Sequence, residues 1–217
     1  MEMIRRLLVL VPLLAFGVGA RAQDLYAGIG LPGLGTLGYA HALRLDWGLR
    51  AESSQGAFSA SGIANAIGGL FTGYDYSEGY TRHGVFADWF AFEGGLRLVG
   101  GLTFNDIWER YTFTGNGLFP AIGGKVVNMS GQHFNIEFRQ PALTPYLGVG
   151  YGHHFSSKGL GFYADFGVTI GSYQSLVNTS LVASGQLTQA EVDAEVNRLG
   201  SNGLYHPSLS FGMLYRF

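Results

Sequence analysis

Ser208-Leu209-Ser210-Phe211-Gly212-Met213-Leu214-Tyr215-Arg216-Phe217 is the stretch on which the reading of this chain turns. Every second residue, Leu209, Phe211, Met213, Tyr215 and Phe217, is large and apolar, while Ser208, Ser210, Gly212 and Arg216 among the others are small or polar. Side chains alternate across a strand, so this pattern predicts a strand with one apolar and one polar face. Residues 160–171 repeat it: Leu160, Phe162, Ala164, Phe166, Val168 and Ile170 share one face, and Gly161, Tyr163, Asp165, Gly167, Thr169 and Gly171 the other. A soluble sheet can alternate in this way. A membrane-spanning β-barrel must, over about ten residues per strand, with aromatic side chains near the interfaces.

Composition narrows the choice. The chain holds 35 Gly, 16 Phe, 12 Tyr and 3 Trp, and no cysteine. Arg5 and Arg6, the apolar run 7–16 and Ala20-Arg21-Ala22 predict a secretory signal over residues 1–22, with the working domain at 23–217. The run 7–16 falls well short of the roughly 20 residues a spanning helix needs. No stretch beyond it is long and apolar enough either, so an exported, aromatic chain must cross lipid with strands. Lipid cannot satisfy an open sheet edge, and the sheet must close. The small negative charge gives no support for nucleic-acid binding.

Further strands are expected at 25–42, 47–52, 80–92, 96–105, 133–139 and 146–155. Glycine- and tyrosine-bearing loops are expected at 56–79 and 115–131. Thr188-Gln189-Ala190-Glu191 is a capping box, and Val192, Val196 and Leu199 share a helical face that ends at Gly200. One short helix is therefore placed before the last strand, as a structured loop or as a lid or plug. Taking 25–42 as one strand gives eight strands, and then long loops fall on the same side as the chain ends. Splitting it at Pro32 and adding 173–181 gives ten, with the long loops on the other side. The fold class is all-β, a closed antiparallel transmembrane barrel of eight strands, with ten as the alternative.

The phase of each strand assigns Arg50, Glu52, Arg82, Asp88, Arg97, Glu137, Arg139, Asp165 and Arg216 to the lumen. Small barrels are filled by side chains, and buried charges are costly unless paired, so these are expected to form an ion-paired network that plugs the bore. A narrow polar path is the other use of such a lining. Gly28-Ile29-Gly30-Leu31-Pro32-Gly33 matches G-x-G-x-x-G, but Pro32 interrupts it and no helix follows, so no dinucleotide or other cofactor is expected. His154 and Ser156 have the two-residue spacing found in lipid A deacylases, which makes them the candidates for a lipid-modifying hydrolase. The third member is missing: no Glu follows before Glu191, and the nearby acid is Asp165. No enzyme is expected, nor a metal site at His153 and His154.

Phe86-Ala87-Asp88-Trp89-Phe90 with Gly94-Gly95-Leu96-Arg97-Leu98, then Pro145-Tyr146-Leu147-Gly148-Val149-Gly150-Tyr151-Gly152-His153 and the closing Tyr215-Arg216-Phe217, resemble the small outer-membrane β-barrel proteins of Gram-negative bacteria. The resemblance implies a bacterial outer-membrane location, contact with outer-membrane lipid, and assembly by the insertion machinery, with Phe211, Tyr215 and Phe217 as the signal it reads. It implies no catalytic residues. The expected function is a structural or accessory outer-membrane barrel; the alternatives are a porin-like channel for small solutes and the hydrolase.

Overall fold

The computed structural model describes residues 23–64, 73–91, 94–114, 118–122, 124–153, 158–200 and 204–217. Its strands are β1 (Gln23–Leu31), β2 (Gly35–Ala42), β3 (Trp47–Ala64), β4 (Gly73–Trp89), β5 (Leu96–Thr114), β6 (Leu118–Ile122), β7 (Lys125–Asn128), β8 (His133–Arg139), β9 (Leu143–Tyr151), β10 (Gly159–Ile170), β11 (Gln174–Thr179) and β12 (Tyr205–Arg216). The helix α1 spans Gln189–Gly200.

Eight strands close into an antiparallel ring in the order β1, β2, β3, β4, β5, β9, β10, β12, with β12 returning to β1. Following the register from Gly159 through Arg216, Asp24, Ala40, Arg50, Phe86, Gly101 and Tyr146 leads back to Thr169, a stagger of ten residues. With strands about 4.8 Å apart and about 3.3 Å per residue, that stagger tilts the strands by about 40° and sets a backbone radius of about 8 Å. Such a bore is just wide enough for side chains to fill.

Eight is the expected number, reached by a different count. Residues 25–42 form two ring strands, because Pro32 cannot donate to a ladder and the chain reverses there. Conversely, 133–139 and 146–155 do not form two ring strands. β8 and β9 share one register along β5, Trp108 opposite Arg139 and Phe104 opposite Leu143, and are interrupted only around Pro141. β11 pairs with β8 beside them. The expected loop at 56–79 is largely strand, with β3 and β4 pairing up to Ala64 and Gly73.

The β2–β3, β4–β5 and β9–β10 junctions lie at the end of the ring where β1 begins and β12 ends, here the near rim. The longer excursions, from the end of β5 to the start of β8 and from the end of β11 to the start of β12, leave and return on the far side, here the far rim. The eight-strand ring thus puts the long excursions opposite the start of β1 and the end of β12, which removes the conflict that the sequence count met.

Beyond the far rim, β3, β4, β5, β8 and β11 continue as an open crown. The β6–β7 hairpin and α1 pack on it through a cluster containing Phe113, Ile122, Met129, Phe134, Ile136, Leu181 and Val192, all buried. Thr188 caps α1 by accepting a 3.4 Å hydrogen bond from the Glu191 amide, and Glu191 Oε2 accepts from the Thr188 amide at 2.8 Å.

Candidate functional site

The candidate site is the column of side chains inside the ring. Even positions on β3 and β4 and odd positions on β5 point inward, which brings together residues far apart in sequence. Arg50 is the hub. Its Nη1 donates to Asp165 Oδ2 at 2.9 Å and to Glu52 Oε2 at 3.2 Å, and its Nε donates to Asp88 Oδ2 at 3.2 Å. Arg97 donates to Asp165 Oδ1 at 2.5 Å and to the Gly152 carbonyl at 2.9 Å, and lies 3.5 Å from Asp88. Arg82 donates to Glu52 Oε1 at 2.9 Å. Three guanidiniums therefore meet three carboxylates, and the group is neutral. Charge-assisted bonds of this kind offset the cost of removing the ions from water.

Aromatic rings close the gaps. Tyr26 donates to Glu52 Oε2 at 3.1 Å, and the Arg50 guanidinium stands 4.8 Å from the Phe86 ring centre. Arg82 lies between Tyr80 and Tyr146, 5.8 and 5.6 Å from their ring centres. Two lumen glycines make room. A Cβ on Gly38 would collide with the Tyr26 ring, and one on Gly150 would come within 2.7 Å of Arg97 Cζ. Arg97 is fully inaccessible, and Tyr26 and Phe86 are 1% and 2% exposed, so the bore is filled at this level.

A second cluster sits at the near rim. Arg216 grips Asp24 with two bonds of 2.7 Å, and His153 Nδ1 lies 3.1 Å from the same carboxylate. These contacts tie the first strand, the last strand and the β9–β10 connection together where the ring closes. His153 holds a left-handed backbone, φ 65°, which turns its ring inward.

Of the residues assigned to the lumen from sequence, Arg50, Glu52, Arg82, Asp88, Arg97 and Asp165 form one network and Arg216 joins another. Glu137 and Arg139 belong to neither. They lie on the outside of the crown, where Glu137 accepts from Arg110 at 2.6 Å and pairs with Arg139. The face of β8 expected to meet lipid, Phe134, Ile136 and Phe138, is instead buried beneath the hairpin and α1. Strand parity is unbroken from β9 into β8, but the environment inverts. Above the apolar belt water lies outside, so the apolar face turns inward. Partial burial pushes Glu137 up, but the bonds from Arg110 and Arg139 outweigh it and leave the carboxyl below its usual range.

Asp24, Tyr26 and His153 were not found from sequence as members of these clusters. Asp24 and Tyr26 carried a signal: both share the phase opposite to Leu25. His154 and Ser156 lie outside the described residues. Phe211, Tyr215 and Phe217 point outward, each about half exposed.

The outer wall is apolar over the height of the ring, except on β3 and β4 toward the far rim. Leu25, Ile29, Leu98, Leu102, Leu147, Phe162 and Phe166 are among its large exposed side chains. Aromatic residues gather at the near rim, where Trp47 stacks on Trp89 at 6.2 Å and Tyr215 meets Phe217 at 5.1 Å. β12, 12 residues at about 3.3 Å each and tilted about 40°, rises about 30 Å, which matches an apolar band of about 25 Å with its girdles.

An apolar exterior, an ion-paired interior and no free edge in the ring define a membrane-spanning β-barrel. No protein-family model matches the sequence, and no curated protein does. Two crystal structures from Acinetobacter baumannii share the fold. CarO2 superposes with a TM-score of 0.62 at 19% identity, covering 92% of this chain and all of that one. CarO does so with 0.58 at 17% identity, covering 89% and 97%.

Proposed function

We propose that this chain is a structural or accessory barrel of the bacterial outer membrane, with a bore closed by its own side chains. The carrying observation is the Arg50 hub, which ties β3, β4 and β10 together across the lumen. The long far-rim connections would face the cell exterior, and Phe211, Tyr215 and Phe217 would serve as the assembly signal. Planar-bilayer recording tests the closed bore: the wild-type protein is expected to show no steady conductance, and a stable open level would refute it. Cysteine placed at Lys125 or Gln186 is expected to react with an impermeant reagent on intact cells. Protection there would reverse the orientation.

One observation supports a second reading, a narrow channel for small solutes. Among the described residues, the groups that cross the bore at the Arg50 level are side chains alone, with no backbone segment passing through. Displacing Arg50 and Arg97 would leave a charged, polar path. Conductance that appears in Arg50→Ala and is absent from wild type would favour this gated form.

A further inference from the structure

In the half of the apolar belt nearer the far rim, six of the eight ring strands present apolar residues or glycine to the outside. β3 and β4 do not. Ser53, Gln55, Thr81 and His83 occupy their outward positions, alternating with the inward Glu52, Ser54 and Arg82. Ser53 pairs across the strands with His83, and Gln55 with Thr81.

The register fixes their depth. Ser53 lies opposite Leu37 of β2, which is 64% exposed, and His83 lies opposite Phe104 of β5, which is 51% exposed. Ser53 and His83 therefore sit inside the belt. Thr81 lies opposite Asp106 and marks its upper edge. None of the four side chains makes a hydrogen bond among the described residues. Hydrocarbon cannot supply one. Along β3 their outward neighbours are small, Ala51 and Ala57, whereas on β4 Val85 stands beside His83 and the Trp108 side chain of β5 lies over Gly79.

We propose that this face is where a second copy of the chain docks. The proposal rests on the membrane-spanning reading of the ring. Hydroxyl and amide groups both donate and accept, and a neutral imidazole does each once, so the patch is complementary to itself. It carries no formal charge to repel its image. Two copies upright in one membrane can be related by a two-fold axis parallel to the barrel axis, and such an interface uses the same patch twice. With that axis near Ser53, the two Ser53 residues meet and His83 of each copy reaches Gln55 of the other. The strands, tilted by about 40°, cross rather than extend a common ladder. The contact is therefore made by side chains, and Ala51 and Ala57 let the two convex walls approach along β3.

Because the chain has no cysteine, introduced thiols report cleanly. The full-length barrel carrying Ser53→Cys is compared in lipid vesicles with one carrying Phe166→Cys, on a different part of the outer wall. Copper-phenanthroline oxidation is expected to give disulfide dimers at least tenfold faster for Ser53→Cys. Sedimentation equilibrium of the cysteine-free protein is expected to give a dimer that Ser53→Val/Gln55→Leu/His83→Leu converts to monomer. Equal cross-linking at the two positions, a monomeric natural protein, or a dimer that survives the triple substitution would each overturn the proposal. A monomer that co-purifies with lipid, and loses it in the triple variant, would assign the patch to lipid and overturn it equally. Vesicle flotation separates the two levels: barrels that do not float end the membrane reading, whereas barrels that float without preferential cross-linking end the docking alone.

Discussion

Replacing Arg50 with Met tests the ion-paired interior most directly. The wild-type guanidinium bonds three carboxylates, Asp165 at 2.9 Å and Glu52 and Asp88 at 3.2 Å. After the substitution each acid keeps one cationic partner: Arg97 for Asp165 and Asp88, and Arg82 for Glu52. Breaking a buried pair by removing one partner costs about 3–5 kcal/mol, because an uncompensated charge is left behind. The retained partners put the expected cost at the lower end, about 3 kcal/mol. Asp165→Asn alone leaves Arg97 the Gly152 carbonyl and the more distant Asp88, and should cost a similar amount. The two together restore neutrality, so the double variant should be more stable than the sum of the singles by about 1–3 kcal/mol. Urea unfolding in lipid vesicles, followed by the fluorescence of Trp47, Trp89 and Trp108, measures all three. Single variants within about 0.5 kcal/mol of wild type, or strictly additive losses, would refute the coupled network.

Other tests address different layers. Gly38→Val drives two methyl groups and a Cβ into the Tyr26 ring and is expected to lower stability by about 1–3 kcal/mol in the same assay. Phe134→Ala empties a fully buried site in the crown, with an expected local loss of about 3–5 kcal/mol. Hydrogen exchange should then quicken in β6, β7 and α1 and stay unchanged in the ring strands. The bonds from Lys125 and then Thr188 hold the Glu191 carboxyl down at about 2, against 4.5 in the unfolded chain. A depressed acid contributes stability that is fully present above the unfolded value and is lost as pH falls through the folded one. The α1 amides should therefore lose protection between about pH 4.5 and pH 2, and Glu191→Gln should remove that dependence.

The reach of the sequence is clearest at β8. Phe134-Asn135-Ile136-Glu137-Phe138-Arg139 alternates just as a membrane strand does, and its apolar residues do form one face. Which medium that face meets cannot be read from the residues themselves. The answer depends on α1 and the β6–β7 hairpin, which arrive from elsewhere in the chain and cover it. The same holds for the strand count. Pro32 and Pro141 look alike as interruptions. Only pairing shows that the chain reverses at the first and continues along β5 past the second. The capping box, by contrast, is a contact between residues three apart, and α1 starts where those residues place it.

Short-range alternation was enough to specify strands with one apolar face, the closure of their sheet and the inward direction of Arg50, Glu52, Arg82, Asp88, Arg97 and Asp165. Those properties follow from the two-residue period of a strand and the inability of lipid to satisfy backbone groups. Tertiary structure decided which charges meet, that Asp24 and His153 hold Arg216 at the closing seam, and where the outer surface changes from apolar to polar. These depend on register and stagger around the ring, which bring together side chains separated by up to 192 positions and which no local pattern encodes.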